Sequence, residues 1–385
     1  MRRVAIAGVG STVFGRFPDT LVEDLAAEAA WKALEDAQVD RSAVQAIYLG
    51  NFISGVLCGQ EVLAGVVANR LGLGPVPCTK MEGACASGGI AFRHAYLLIA
   101  AGIYDTVLVL GVEKMSHAGT AKVTEALNCA MDMAHDGVSG LSYPGVFGLL
   151  ARIYDGRDGG AREGMSAVAT KNKRNGLSNP LAQMGRLLTE ADFASAQAIA
   201  DPLTIFDCCP ISDGAAAVVL TAADRVRGRL SIEVLASTQA SGAASIAGHA
   251  DLCTFGATVA AAKQAYAEAG RSASDLDFVE LHDCFSIAEL IDSEDLGVVP
   301  RGKGAAWAAE GRTALGGDIP INASGGLLAK GHPVGATGVG QIYEAVLQLR
   351  GQHPNQVQGA AIGLTHNLGG TGVACTTTIL GRSDA

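Results

Sequence analysis

The chain has 385 residues, a formal net charge of −10, and 17% charged residues against 49% hydrophobic ones. This balance excludes an intrinsically disordered chain, which needs the reverse, and it disfavours nucleic acid or an acidic membrane as a partner. Glycine supplies 50 residues without a collagen period, so the excess belongs to tight turns and close packing in a large α/β interior.

The first strand is expected over Arg3 to Gly8. Gly8-Val9-Gly10 follows it, but Val13 stands where a dinucleotide fingerprint needs its third glycine, so a tight turn explains the pair. Val4 to Gly10 is too short for a signal-peptide core. The longest uncharged apolar runs, such as Tyr96 to Tyr104, fall far below the ~18 residues that span a bilayer. Nine cysteines without an export signal or a C-x-x-C pair then indicate a reducing, cytoplasmic setting.

Ala29 to Asn51 reads as helix, short turn and strand, and Ala261 to Asp283 repeats it. Ala33 aligns with Ala265, Ala37 with Ala269, Ile47 with Val279 and Leu49 with Leu281. A strand-like run precedes each copy, Arg3 to Gly8 and Ser231 to Leu235, which predicts βαβ crossovers and a parallel sheet. The repeat continues with Ala86 to Gly102 and the strand Thr106 to Leu110, matched by Ala336 to Gly351 and Gln358 to Leu364. Asp213 to Leu220 closes the first half. Two halves are expected, 1–225 and 226–385, with an insert at about 115–205 laid over the core.

Ligands of parallel sheets bind beyond the carboxyl ends of the strands, so the strand-to-helix turns carry the chemistry. Cys85 lies between small residues immediately before an apolar helix, where free N–H groups and the helix dipole lower a thiol pKa. His332, in the glycine-rich stretch Asn322 to Gly338, occupies the equivalent turn of the second half and is placed to take the thiol proton. The GK[ST] ending of a phosphate-binding loop is missing there. His282-Asp283-Cys284-Phe285 closes another strand, and the glycines of Leu364 to Gly372 could offer N–H donors to an oxyanion.

These residues together give the chain its likeness: it resembles a thiolase over essentially its whole length. The signals are the N-A-S-G-G-x-x-A-x-G-H-P-x-G-A-T-G stretch, the early cysteine before a helix, and the duplicated halves with a middle insert. It is most similar to the sterol-carrier-protein-type and archaeal acetoacetyl-CoA branch. There H-D-C-F replaces N-E-A-F, and the late C-x-G cysteine is missing, its place here taken by His366. Cys375, in strand-like sequence beyond the glycine loop, is taken as structural, as are the other cysteines outside positions 85 and 284.

The resemblance implies a five-layered αβαβα core with an inserted loop subdomain. It implies that Cys85 carries the acyl group as a thioester, that His332 activates it, and that Cys284 moves the proton at the acetyl carbon. His282 and His332 would donate to the thioester oxygen. The N–H groups of Cys85 and of Gly369 or Gly370 would hold the tetrahedral oxyanion.

Coenzyme A and acyl-CoA enter as substrates, with no tightly bound cofactor and no metal. The reaction expected is acyl transfer to coenzyme A with Claisen condensation or cleavage, of the acetoacetyl-CoA type, within lipid metabolism. Lys171, Lys173 and Arg174 of the insert are candidates for the coenzyme A phosphates, with Ser324 and Gly325 as further substrate contacts. The scarcity of charge and the resemblance both suggest a homodimer or homotetramer. A small zinc/OB-fold protein is a candidate partner, because archaeal-type relatives can bind one. The alternatives are a ketoacyl synthase, which needs no second catalytic cysteine, a steroid side-chain aldolase, which does without the nucleophilic one, and a non-catalytic thiolase-like subunit.

Overall fold

The computed structural model describes residues 2–226 and 230–383. Residues 227–229, just past the boundary expected between the two halves, are outside the described residues. One mixed sheet of nine strands runs through the molecule. In chain order the strands are β1 (Val4–Ser11), β2 (Ala46–Gly50), β3 (Cys78–Met81), β4 (Thr106–Glu113) and β5 (Gly214–Ala222). The second half adds β6 (Ile232–Ser241), β7 (Phe278–Glu280), β8 (Ile362–Gly369) and β9 (Ala374–Arg382). The spatial order is β3-β2-β4-β5-β1-β6-β9-β8-β7.

The order carries the duplication, since β2-β4-β5-β1 in one half is answered by β7-β8-β9-β6 in the other. The halves meet edge to edge through two residue pairs, Ala5 with Glu233 and Ile6 with Ile232. The parallel sheet expected from the βαβ pattern is corrected in part. β2 runs parallel to β3 and β4, and β7 parallel to β8, but β5 and β9 return antiparallel. β5 enters its half without a crossover helix of that pattern, arriving from the insert, and β9 follows β8 after a tight glycine turn.

Helix placement follows from the alternation of the strands. Leu108 and Leu110 of β4 face one side, where α1 (Val22–Ala37) and α2 (Leu63–Arg70) pack through Leu25, Ala29, Ala33 and Val67. Val107 and Val109 face the other side, onto α3 (Ser87–Ala100), the helix that follows Cys85. On the second half, α6 (Gly256–Ala269) covers Val279, Leu364 and Ile379 through Ala262 and Ala265. α8 (Thr337–Arg350), the helix that follows His332, packs with α3 between the half-sheets through Val339, Ile342 and Val346. The result is the layered αβαβα core. Within the insert, α4 (Tyr143–Asp158) and α5 (Ala161–Ser178) bury Phe147, Tyr154 and Met165 against Phe255, Phe285 and Leu290. Phe285 and Leu290 belong to the H-D-C-F stretch and to α7 (Ser286–Asp295), so the insert is tied to the second half beside the strand-end turns.

The two turns meet across a seam without side chains. A Cβ on Gly88 would lie 2.8 Å from the Gly335 carbonyl oxygen, and one on Gly111 would lie 2.5 Å from it. A Cβ on Gly335 itself would meet the Asn51 Cα and the Val112 carbonyl at 2.7 Å. All of these obstacles are backbone, which cannot step aside. Gly335→Ala should therefore cost about 3 kcal/mol or more of stability in urea unfolding, with activity lost in parallel.

Candidate active site

Cys85 sits in a single 3-10 turn, Ala84–Ala86, between β3 and α3. The residue before it, Ala84, is left-handed at φ 51°, a strained conformation for a residue with a Cβ. Ser87 secures the bend: its hydroxyl donates to the Ala84 carbonyl at 2.6 Å and accepts from the Gly83 N–H at 3.0 Å. His332 lies between the short helix Gly326–Lys330 and α8. That short helix is capped by Asp283, whose carboxylate accepts from the Leu327 N–H at 2.7 Å and the Leu328 N–H at 3.3 Å. The central residue of H-D-C-F thus ties the His282 and Cys284 turn to the His332 turn.

His332 Nε2 lies 3.3 Å from Cys85 Sγ. On its other side, Nδ1 is 2.7 Å from the Thr337 hydroxyl, whose single proton goes to the Pro333 carbonyl at 3.1 Å. The hydroxyl therefore accepts from Nδ1–H, which leaves Nε2 as a lone pair facing the thiol. His282 takes the opposite tautomer. Its Nδ1 accepts from Asn367 Nδ2 at 3.2 Å, so its Nε2 carries the proton and is a donor. The two rings meet edge to face with centroids 4.9 Å apart.

Around them lies a pocket of about 80 Å³, walled by Phe52, Leu127, Tyr143 and Phe285 and lined also by Cys85, Cys284, Cys209 and Gly370. The ligand atoms of Cys85, His282 and His332 lie within 4.8 Å of one another, the one such grouping of possible metal ligands among the described residues. His332 already bonds both Cys85 and Thr337, and His282 Nδ1 bonds Asn367, which leaves His282 Nε2–H as the open donor.

Burial sets the electrostatics. It pushes the Cys85 thiol up to about 12, outweighing the Gly370 N–H that bonds the sulfur and favours the thiolate. The expectation of a thiol pKa lowered by the helix N-terminus is corrected: desolvation wins. Burial also lowers His332 to about 3 and holds His282 well below its ordinary value. Cys284 is raised well above the usual thiol range by burial, with Cys209 and Cys85 adding to it. At rest all four groups are neutral, and the pair is a thiol bonded to an imidazole.

Several expected contacts are relocated. Lys173 is buried and donates to the Leu328 carbonyl, and Lys171 pairs with Glu289 at 2.7 Å and the Ile321 carbonyl at 2.6 Å. Both turn inward to satisfy buried oxygens, so neither is free to cradle phosphates. Only Arg174 is exposed; it lines a surface groove of about 800 Å³ that shares no residue with the Cys85 pocket. Ser324 is committed to Glu280, and Gly325 begins the Gly326–Lys330 helix with Gly176 backbone against it, so neither lines the pocket. Of the two glycines at the end of β8, Gly370 reaches the Cys85 sulfur, whereas Gly369 is packed on the Gly83 carbonyl.

Three residues escaped the sequence reading. His366 was expected at the late cysteine position, but it points away from the pocket to Thr258 and Asp292. Its neighbour Asn367 faces Cys85 instead, donating to the Cys85 carbonyl at 2.9 Å and to His282. The alternation of side chains along β8 makes only one of the pair available, and the glycine count did not reveal which. Cys209, expected to be a bystander, lines the pocket because its N–H bonds the Cys284 carbonyl at 3.1 Å. Tyr143, from the insert, carries no motif at all.

The thiolase N-terminal domain model matches residues 4–224, and the model described as thiolase C-terminal domain-like matches residues 238–382. The chain belongs to the thiolase family. It is 42% identical to an acetyl-CoA acetyltransferase of Methanothermobacter thermautotrophicus, covering 99% of this chain and 100% of that one. It is 35% identical to sterol carrier protein 2 of Homo sapiens, covering 98% of this chain and 72% of the relative. Among solved structures it matches an "Ltp2-ChsH2(DUF35) aldolase" with TM-score 0.84 at 26% identity, over 99% of this chain and 98% of the other. No helix among the described residues is long and apolar enough to cross a membrane.

Two outcomes follow for this thiolase. Alkylation of Cys85 by iodoacetamide, followed by mass spectrometry, should keep rising with pH from 6 to 10, since a thiol raised to about 12 is still gaining thiolate there; a plateau below pH 8 would indicate a preformed thiolate–imidazolium pair. Asn367→Ala should lower kcat about 10- to 100-fold with little change in KM, because it frees the His282 ring and leaves the Cys85 carbonyl unpaired.

Proposed function

We propose that this chain transfers a short acyl group between Cys85 and coenzyme A, making or breaking the carbon–carbon bond of a 3-ketoacyl-CoA of the acetoacetyl type. The observation that carries the reading is the 3.3 Å contact of His332 Nε2 with Cys85 Sγ inside a pocket that also holds Cys284 and His282. In cleavage, the Cys85 sulfur attacks the 3-keto carbon while its proton passes to His332. The bond to the acetyl carbon then breaks, and Cys284, a neutral thiol at rest, protonates the enolate carbon as His282 Nε2–H holds the enolate oxygen. Coenzyme A next gives its thiol proton to the Cys284 thiolate and attacks the thioester. Cys85 leaves and recovers its proton from His332, so protons and charges close over the cycle.

Pocket size supports a short chain. At about 80 Å³, with Phe52, Leu127, Tyr143 and Phe285 as its walls, the pocket suits a short acyl group. The name of the archaeal relative agrees with this reading. Cys284 in the pocket argues against a ketoacyl synthase, Cys85 against an aldolase, and the complete set against a non-catalytic subunit. The reading also carries a homodimer or homotetramer, and the DUF35 component in the neighbour's name is in keeping with a small partner protein. A cytoplasmic setting and a role in lipid metabolism belong to the same proposal.

Mass spectrometry after mixing with acetyl-CoA should find an acetyl adduct on Cys85 in the wild type and none in Cys85→Ala. Cys284→Ala should still acetylate but lose acetoacetyl-CoA cleavage by about a thousandfold or more. Cleavage retained in Cys85→Ala would sink the proposal and favour an aldolase.

A further inference from the structure

Tyr143 opens α4 with Pro144 behind it, and its ring packs against the apolar cluster that joins the insert to the second half. Its hydroxyl is buried and has no hydrogen-bond partner among the described residues. Buried hydroxyls are nearly always paired, because an unpaired one loses its water and gains nothing. Tyr143 lines the Cys85 pocket, and its hydroxyl lies 3.5 Å from where a Cβ on Gly370 would stand. Gly370 is the residue whose N–H reaches the Cys85 sulfur. The hydroxyl is also close enough to Cys85 and Cys284 that a thiolate at either would push its own pKa further up. No group among the described residues takes up this donor, although it is held beside Cys85 and Gly370.

We infer that the Tyr143 hydroxyl is a third donor to the tetrahedral oxyanion formed on Cys85, beside the N–H groups of Cys85 and Gly370. This deepens the acyl-transfer reading and rests on it. When the Cys85 sulfur bonds to the carbonyl carbon, the π electrons move onto the carbonyl oxygen, and the phenol O–H donates to it without giving up its proton. Collapse of the intermediate restores the carbonyl, expels either the enolate of acetyl-CoA or coenzyme A thiolate, and returns the hydroxyl to its unpaired state. A donor paired only in the intermediate lowers the barrier without tightening substrate binding. The cost is borne by the resting protein, whose hydroxyl stays buried with no partner among the described residues.

The test compares wild type with Tyr143→Phe in single-turnover acylation of Cys85 by acetoacetyl-CoA, in steady state and in thermal melting. Tyr143→Phe should acylate about 100-fold more slowly, with kcat falling and KM within about threefold, and should melt at or above the wild-type temperature. Acylation within twofold of wild type would overturn the inference. If the variant melts several degrees lower, 3-fluorotyrosine at position 143 decides: a stronger donor of the same shape should acylate faster, and an unchanged rate would overturn it. A wild type that forms no adduct on Cys85 would instead defeat the acyl-transfer reading itself.

Discussion

The approach of two backbone turns across a glycine seam is the constraint on which the site depends. Gly335 stands where the ends of β2 and β4 leave no room for a Cβ, and its carbonyl faces Gly88 and Gly111. Because the turns touch backbone to backbone, the residues just outside them, Cys85 and His332, are left 3.3 Å apart. The layered core makes this possible. α3 and α8 share the space between the half-sheets, so their N-terminal ends are delivered to one place from opposite halves of the duplication. Hydrogen bonds then trim the geometry: Thr337 orients His332, Asn367 orients His282, and Asp283 holds the two second-half turns together.

A site assembled so far inside the fold is largely buried, and that burial sets its resting charge state. Both histidines are held neutral, and both thiols are held protonated. Such a site stores no ion pair waiting for substrate. In the proposed reaction the charge arises only when a carbon–sulfur bond begins to form, beside donors that the fold has already fixed. In a small apolar pocket those donors act at low dielectric, where each is stronger than it would be in water. The insert contributes to the same end by closing the pocket with Leu127, Ala130 and Tyr143.

Much of this was legible in the residues. The small-residue turn around Cys85, the glycine–histidine–proline stretch and H-D-C-F each announce themselves locally, and the repeat of helix, turn and strand placed them on equivalent ends of a sheet. The two lysines of the basic run, Lys171 and Lys173, turn inward for a physical reason. A lysine in sequence looks alike whether it faces water or a buried carboxylate, and Glu289, far along the chain, claims Lys171. The mixed sheet was missed because β5 and β9 carry the same apolar composition as the crossover strands, so only their partners reveal their direction.

By itself the sequence determined which chemical groups exist and where the chain must turn, because glycine, proline and small residues act within a few positions of themselves. It determined a duplicated α/β chain with a thiol and an imidazole at matching turns. Tertiary structure decided the rest. It chose Asn367 over His366, because strand register alone selects which of two neighbours faces Cys85 and His282. It raised the Cys85 thiol instead of lowering it, because desolvation sums over every atom packed around the sulfur while a helix end contributes only its own few N–H groups. It also brought Tyr143 and Cys209 to the site, residues with no local signature, whose place depends on contacts between segments far apart in the chain.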